Sequence, residues 1–194
     1  MPLDTQRLPV AASGRLAPVE PRLVPLFCLI LLTAACALAS FVFACATPFA
    51  AFAVVAAATL PLGPALVMVT VAWLVNQAIG FGVLHYPLDL NTLLWGFAIG
   101  AAALIETGAS KLALRSVPRT ASPVALGLAL IAAYAAYEVV LFAFTPVLGG
   151  AGSFTLAIVA LLGLLSAVWL IGLVAVCEVS RLLNAVRLRQ VATR

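Results

Sequence analysis

The stretch LVPLFCLILLTAACALASFVFAC, residues 23–45, contains no Asp, Glu, Lys, Arg or His. A helix that crosses a bilayer needs about 20 mostly apolar residues, so this run reads as a membrane span. The rest of the chain follows the same pattern. Its 194 residues are 65% hydrophobic and 8% charged, with a mean hydropathy of +1.25. A soluble domain carries about 25% charged residues. No soluble core absorbs this much apolar surface, which excludes a soluble enzyme or a nucleic-acid-binding domain. The expectation is an all-α, polytopic membrane protein in contact with the lipid bilayer.

Five further apolar runs follow. The second is short, about Pro48 to Leu62, and ends at Pro61-Leu62-Gly63-Pro64. The third runs from about Ala65 to Leu84. The fourth starts after Asp89-Leu90-Asn91 and ends near Ser110. The fifth runs from about Pro123 to Val147, and the sixth from about Phe154 into a basic tail near Arg187. Pro/Gly punctuation or short polar turns separate them. The predicted architecture is a compact bundle of six transmembrane helices over 23–187. A flexible arm, 1–22, precedes it, and a basic tail, 188–194, follows.

The basic residues give the orientation. Arg7, Arg15 and Arg22 precede the first span; Lys111, Arg115 and Arg119 lie between the fourth and fifth; Arg181, Arg187, Arg189 and Arg194 end the sixth. With six spans all ten fall on one side, which satisfies the positive-inside rule and predicts that both termini are cytoplasmic. Five or seven spans would split them. The net charge of +4 is scattered over these segments and is no nucleic-acid signal. A cleaved signal peptide is the rival reading of the first run, with Ala44-Cys45-Ala46 as a passable site. The run is longer than the roughly 7–15 residues of a signal core. Cys28, Cys36, Cys45 and Cys177 lie in apolar runs without zinc-site spacing, and read as small buried hydrophobes.

Polar groups at membrane depth are costly and are kept mainly where they act. They concentrate in Asn76–Asn91, which holds Asn76, Gln77, the only histidine, His85, and Tyr86, Asp89 and Asn91. The predicted topology puts this window at the outer side, with Trp95 at the start of the fourth span. Glu138 on the fifth span, flanked by Tyr134 and Tyr137, reaches a similar depth. Together these residues predict an outward-facing pocket with aromatic walls and a few polar contacts. Each has a plainer reading. Asp89 or Asn91 caps the fourth helix, Tyr86 and Trp95 sit in the interfacial belt, Asn76 and Gln77 bond between helices, and His85 is idle on a turn. Its functional reading is a ligand to a substrate metal, since neutral imidazole binds transition metals. Glu106 with Lys111, and Glu178 with Arg181, read as interfacial ion pairs. Gly96/Gly100 and Ala35/Ala39 are spaced for close helix packing.

The chain has no phosphate-binding loop, a single lysine, no HExxH and no GxSxG. No nucleophile–base pair stands out, so an enzyme is not expected, nor an intrinsic cofactor. Size, span count, inside termini and the polar window resemble the substrate-binding S component of an energy-coupling-factor vitamin transporter, nearest the proteobacterial cobalamin-type S components. The resemblance implies a bacterial inner-membrane protein that captures a small-molecule substrate outside, here cobalamin or another corrinoid. A separate transmembrane coupling protein and ATPase subunits would drive transport. It also implies that Ala35 and Ala39, on the first helix, meet the coupling protein. In that group a cysteine near the outer end of the third span holds the cobalt. This chain has no cysteine between Cys45 and Cys177, and His85 is the residue that could replace it. Two other classes fit the composition: a structural or assembly subunit of a membrane complex, and a stand-alone metal-ion or proton-coupled carrier centred on Glu138 and His85.

Overall fold

The computed structural model describes residues 15–43, 46–118 and 122–192. Among them the chain is all-helical: α1 (Val24–Phe43), α2 (Phe49–Thr59), α3 (Leu62–Gly82), α4 (Leu90–Arg115), α5 (Ser122–Leu148) and α6 (Leu156–Ala192), with one 3-10 turn, Ala151–Ser153, before α6. Five of the six helices are long and apolar enough to cross a membrane. The exception is α2. Its 11 residues rise only about 16 Å, roughly half of a 30 Å hydrocarbon core.

Prolines set the limits of α2. Pro48 is its N-cap, and the next proline, Pro61, is the N-cap of α3. Between them FAAFAVVAAAT has no polar face, and a helix that is apolar all round belongs in a core. All 11 residues of α2 are buried. It touches each of the other five helices, and its alanines let them approach closely. Trp169 of α6 stands edge-on to Phe52, ring centroids 6.1 Å apart, and to Phe43 of α1 at 6.5 Å.

The C-terminal end of α2 is tied down by charge. Lys111 of α4 donates from Nζ to the carbonyls of Ala57 (2.7 Å) and Leu60 (2.6 Å). These belong to the last turn, where helix carbonyls lack internal partners. The expected Glu106–Lys111 ion pair is therefore not formed, because the ammonium serves α2 instead. Arg15 does the same for α4, donating to the carbonyls of Leu114, Val117 and Pro118. Leu16 N–H donates to Ala58 O (3.3 Å), and Leu16 and Pro18 are buried. Residues 15–22 are thus not a free arm but a strap laid across this end; residues 1–14 lie outside the described part. The starts of α1 and α3 and the ends of α2 and α4 share this basic end.

Pro146 interrupts α5. It has no N–H for the carbonyl of Phe142, and Thr145 Oγ1 donates to that carbonyl instead, at 2.8 Å. The last helix is the longest, at 37 residues. Beyond Cys177 none of the described side chains is buried, and Val179, Leu182, Leu183 and Val186 are exposed. Glu178 and Arg181 form the expected pair there, 2.6 Å apart.

Replacing Lys111 with Met leaves two carbonyls at the end of α2 without their donor. We expect a loss of roughly 2 kcal/mol, seen as a lower unfolding midpoint in detergent. Arg181→Met, which breaks only a surface pair, should move the midpoint little.

Candidate functional site

A cavity of about 360 Å³ opens at the end opposite Lys111, between α4, α5 and α6. Trp95 and Ile99 come from α4, Tyr137, Glu138 and Leu141 from α5, Phe154 from the end of the α5–α6 connection, and Ile158 and Leu162 from α6. Gly150 and Ser153 of the α5–α6 turn complete the rim. This turn needs glycine: Gly149 and Gly150 both have φ near +80° (81° and 82°), a region where a side chain is strained. Gly150 also lies against Trp95, whose ring would come within 3.4 Å of an added Cβ.

A smaller recess of about 30 Å³ shares Ala46, Tyr137 and Leu162 with the cavity. It is lined by Tyr134, Ser166 and the first residues of α2, Phe49 and Ala50. No side chain caps the N-terminus of α2. The carboxyl of Glu138 faces the Tyr134 hydroxyl, which donates to Val159 O at 2.6 Å. Tyr134 is held by its fit over Gly163, where an added Cβ would stand 3.0 Å from Cε1. The arrangement offers flat aromatic walls, one carboxyl, two phenols and the positive end of a short helix. It suits a small flat ligand with hydrogen-bonding groups.

Of the residues expected to form one pocket, Trp95, Tyr137 and Glu138 line this cavity, and Tyr134 lines the recess beneath it. The others go elsewhere. Asn76 is buried and bonds between elements: Nδ2 donates to Ser40 Oγ of α1 (2.9 Å) and to Thr47 Oγ1 of the α1–α2 connector (3.0 Å). Its Oδ1 accepts from Gln77 Nε2 at 3.0 Å. Gln77 Oε1 packs on Gly96 of α4, where a Cβ would stand 2.5 Å away. Both amides therefore join helices and do not line the cavity.

The Gly96/Gly100 pair has the same purpose. Trp73 Nε1 donates to Gly96 O (2.9 Å), and the Trp73 ring lies over Gly100, with Cε2 2.7 Å from where a Cβ would be. Ala35 and Ala39 are buried inside the bundle. Ala35 also borders an apolar groove between α1 and α6.

His85 is exposed in the α3–α4 loop, at φ +54°. No group of three or more His, Cys, Asp or Glu residues able to hold a metal occurs among the described residues. Tyr86 folds back, its ring over Gly80 and edge-on to Phe81 at 6.1 Å. Asp89 caps α4, its Oδ1 accepting from Thr92 N–H at 2.7 Å, and that bond holds its carboxyl below the usual carboxylate range. Asn91 is exposed in the first turn of α4. The structure does not bring His85 and Glu138 into one cavity. Phe154 and Ser153 were not foreseen; the signal for them was an aromatic directly after a glycine turn, at the mouth of a helix pair.

Glu106 is the largest surprise. It is fully buried, and neither oxygen has a hydrogen-bond partner; Ser110 Oγ, one turn on, has none either.

Two outcomes check this geometry. Gly100→Ala forces Trp73 off α4 and should cost about 1–3 kcal/mol, with a shift in tryptophan fluorescence. Asp89 has a folded pKa below its unfolded value of about 3.9. Its contribution is therefore present above that value and is lost as pH falls through the lowered folded value. The thermal midpoint of the wild type should decline over that acid limb more steeply than that of Asp89→Ala. Comparison with protein-family models, curated proteins and solved structures finds no match to this chain.

Proposed function

We propose that this protein is a substrate-capture subunit of a bacterial plasma membrane, taking up a small flat ligand through the cavity between α4, α5 and α6. The observation that carries this reading is the convergence of Trp95, Tyr137 and Phe154 on one carboxyl, Glu138. Aromatic faces bind planar rings, and a lone carboxyl orients a hydrogen-bond donor or a positive charge. All six helices cross the membrane in this reading, α2 with the help of the extended residues at its two ends. The basic end then faces the cytoplasm with both termini, and the cavity faces outward. The chain has no phosphate-binding loop, and its one lysine holds α2. Energy for transport comes from separate ATPase subunits through a coupling protein.

The size of the cavity favours a vitamin-like ligand of one or two rings. At about 360 Å³ it is near the lower end of ligand pockets, roughly 300–1,000 Å³. A complete corrinoid needs a wider opening, and His85, its candidate cobalt ligand, lies outside the cavity.

A second reading, a structural or assembly subunit, is favoured by one observation. The exposed Val179, Leu182, Leu183 and Val186 lie on a part of α6 that the rest of the chain leaves uncovered, and a contiguous uncovered apolar face there suits a protein partner. Co-purification separates the two readings: ATPase subunits favour the first, another membrane complex the second.

Binding to the purified full chain is the direct check, using a panel of flat-ring vitamins together with cobalamin and cobinamide. For any compound that binds, Trp95→Ala and Glu138→Gln should each weaken affinity at least tenfold, about 1.4 kcal/mol, and His85→Ala should leave it unchanged. Binding that ignores both cavity substitutions would sink the assignment.

A further inference from the structure

Glu106 has no place in the proposed ligand cavity, yet it is the most enclosed charged residue type among the described residues. Its relative exposure is 0%, as are those of Thr107 and Ser110. Both carboxyl oxygens and the Ser110 hydroxyl lack partners. Glu106 and Ser110 are four residues apart on α4 and so share one face. Thr107 is satisfied, its hydroxyl donating to Ala103 O at 2.7 Å.

The surroundings supply no counter-charge. α4 packs against α2, α3 and α5. Neither α2 nor α3 contains an acidic or basic residue, a cysteine or a tyrosine. On α5 the titratable groups are Tyr134, Tyr137 and Glu138, and these face the cavity and recess at the far end. On α4 itself, Lys111 is bonded to Ala57 O and Leu60 O, and Arg115 is exposed at the end of the helix. Arg15 is bonded to the carbonyls at the end of α4. Three cations thus lie near in the fold, and the two with recorded bonds are committed to backbone carbonyls.

An isolated carboxylate in an apolar interior is so costly that the group neutralises instead. A metal ion is a poor candidate for the compensating charge. Three oxygens from two side chains fall well short of the roughly six to eight oxygen ligands that a hard cation takes. A proton needs only one oxygen and no further ligand.

We propose that Glu106 is a proton-binding site in the core of the bundle, holding one proton per chain at neutral pH. Carboxyls enclosed at membrane depth are typical of proton relays. The site lies between the outer cavity and the basic end, where the strap of residues 15–22 closes the bundle. A proton held there leaves only when the core opens to water. Its release therefore reports the opening of the bundle, whatever ligand the outer cavity takes. This inference does not depend on that cavity, and its test uses no ligand.

The test is infrared spectroscopy of the full chain in lipid at neutral pH. The wild type should show a carbonyl stretch of a protonated carboxyl, downshifted in D₂O. Glu106→Gln should lose it, and Glu138→Gln should keep it. A second readout covers the case where Glu106→Gln folds poorly. Unfolding wild type in weak buffer at neutral pH should release about one proton per chain, because the exposed carboxyl regains its ordinary pKa of about 4.3. The Ser110→Ala protein should still release it. Absence of the band in the wild type, or a band that survives Glu106→Gln, or no proton released on unfolding, would overturn the proposal.

Discussion

The structure depends on the complete burial of α2. A helix of 11 residues is too short to cross a hydrocarbon core alone, and lipid offers no partners to the polar groups at its ends. It is viable only as the pin of a bundle, with protein on every side and its terminal backbone groups met by the chain. Its sequence satisfies the first condition, since FAAFAVVAAAT is apolar all round. Lys111 satisfies the second at the C-terminal end. At the N-terminal end no side chain does so, and there the interior opens into the recess below the cavity.

This asymmetry organises the molecule. At the basic end, Arg15, Lys111 and the 15–22 strap turn cationic side chains and backbone donors onto helix carbonyls, closing the bundle. At the far end, the left-handed glycines of the α5–α6 turn and the aromatics around them hold a space open. Between the ends, two carboxyls occupy different settings. Glu138 faces the cavity beside a tyrosine, while Glu106 is enclosed without a partner. The same residue type in these two places is suited to different work, one for contact with a ligand and the other for holding a proton.

Much of the fold was legible in the sequence because membrane helices are written in simple terms: length, apolarity and flanking charge. All six expected runs correspond to helices, with ends a few residues off. The short second run was visible from its prolines, but its full burial was not, since periodicity carries no signal in a segment that is apolar on every side. The candidate site was less legible. Depth was readable from topology, and Trp95, Tyr137 and Glu138 do border one cavity, with Tyr134 in the recess beneath. Rotation about each helix axis was not, so Asn76 and Gln77, at a suitable depth, point into the α1–α3–α4 contacts instead. His85 and Asp89 stood out because polar groups are rare in this chain; the structure places one in the α3–α4 loop and the other at the N-cap of α4. Glu106 and Lys111 illustrate the opposite error. Their spacing resembles a helix-surface pair, but an interior helix end made a stronger claim on the ammonium.

The central claim is that the cavity mouth and the projecting end of α6 lie on opposite sides of the membrane, the mouth outside. Ser153 is exposed at the rim and Val186 on the projecting helix, while Cys28, Cys36 and Cys177 are buried. Single cysteines placed at Ser153 and Val186, in a background with Cys45 replaced, can be probed with a membrane-impermeant thiol reagent. The account predicts that Ser153→Cys reacts in intact cells, whereas Val186→Cys reacts only after the membrane is opened. Labelling of both from one side, or of Val186→Cys alone in intact cells, would contradict it.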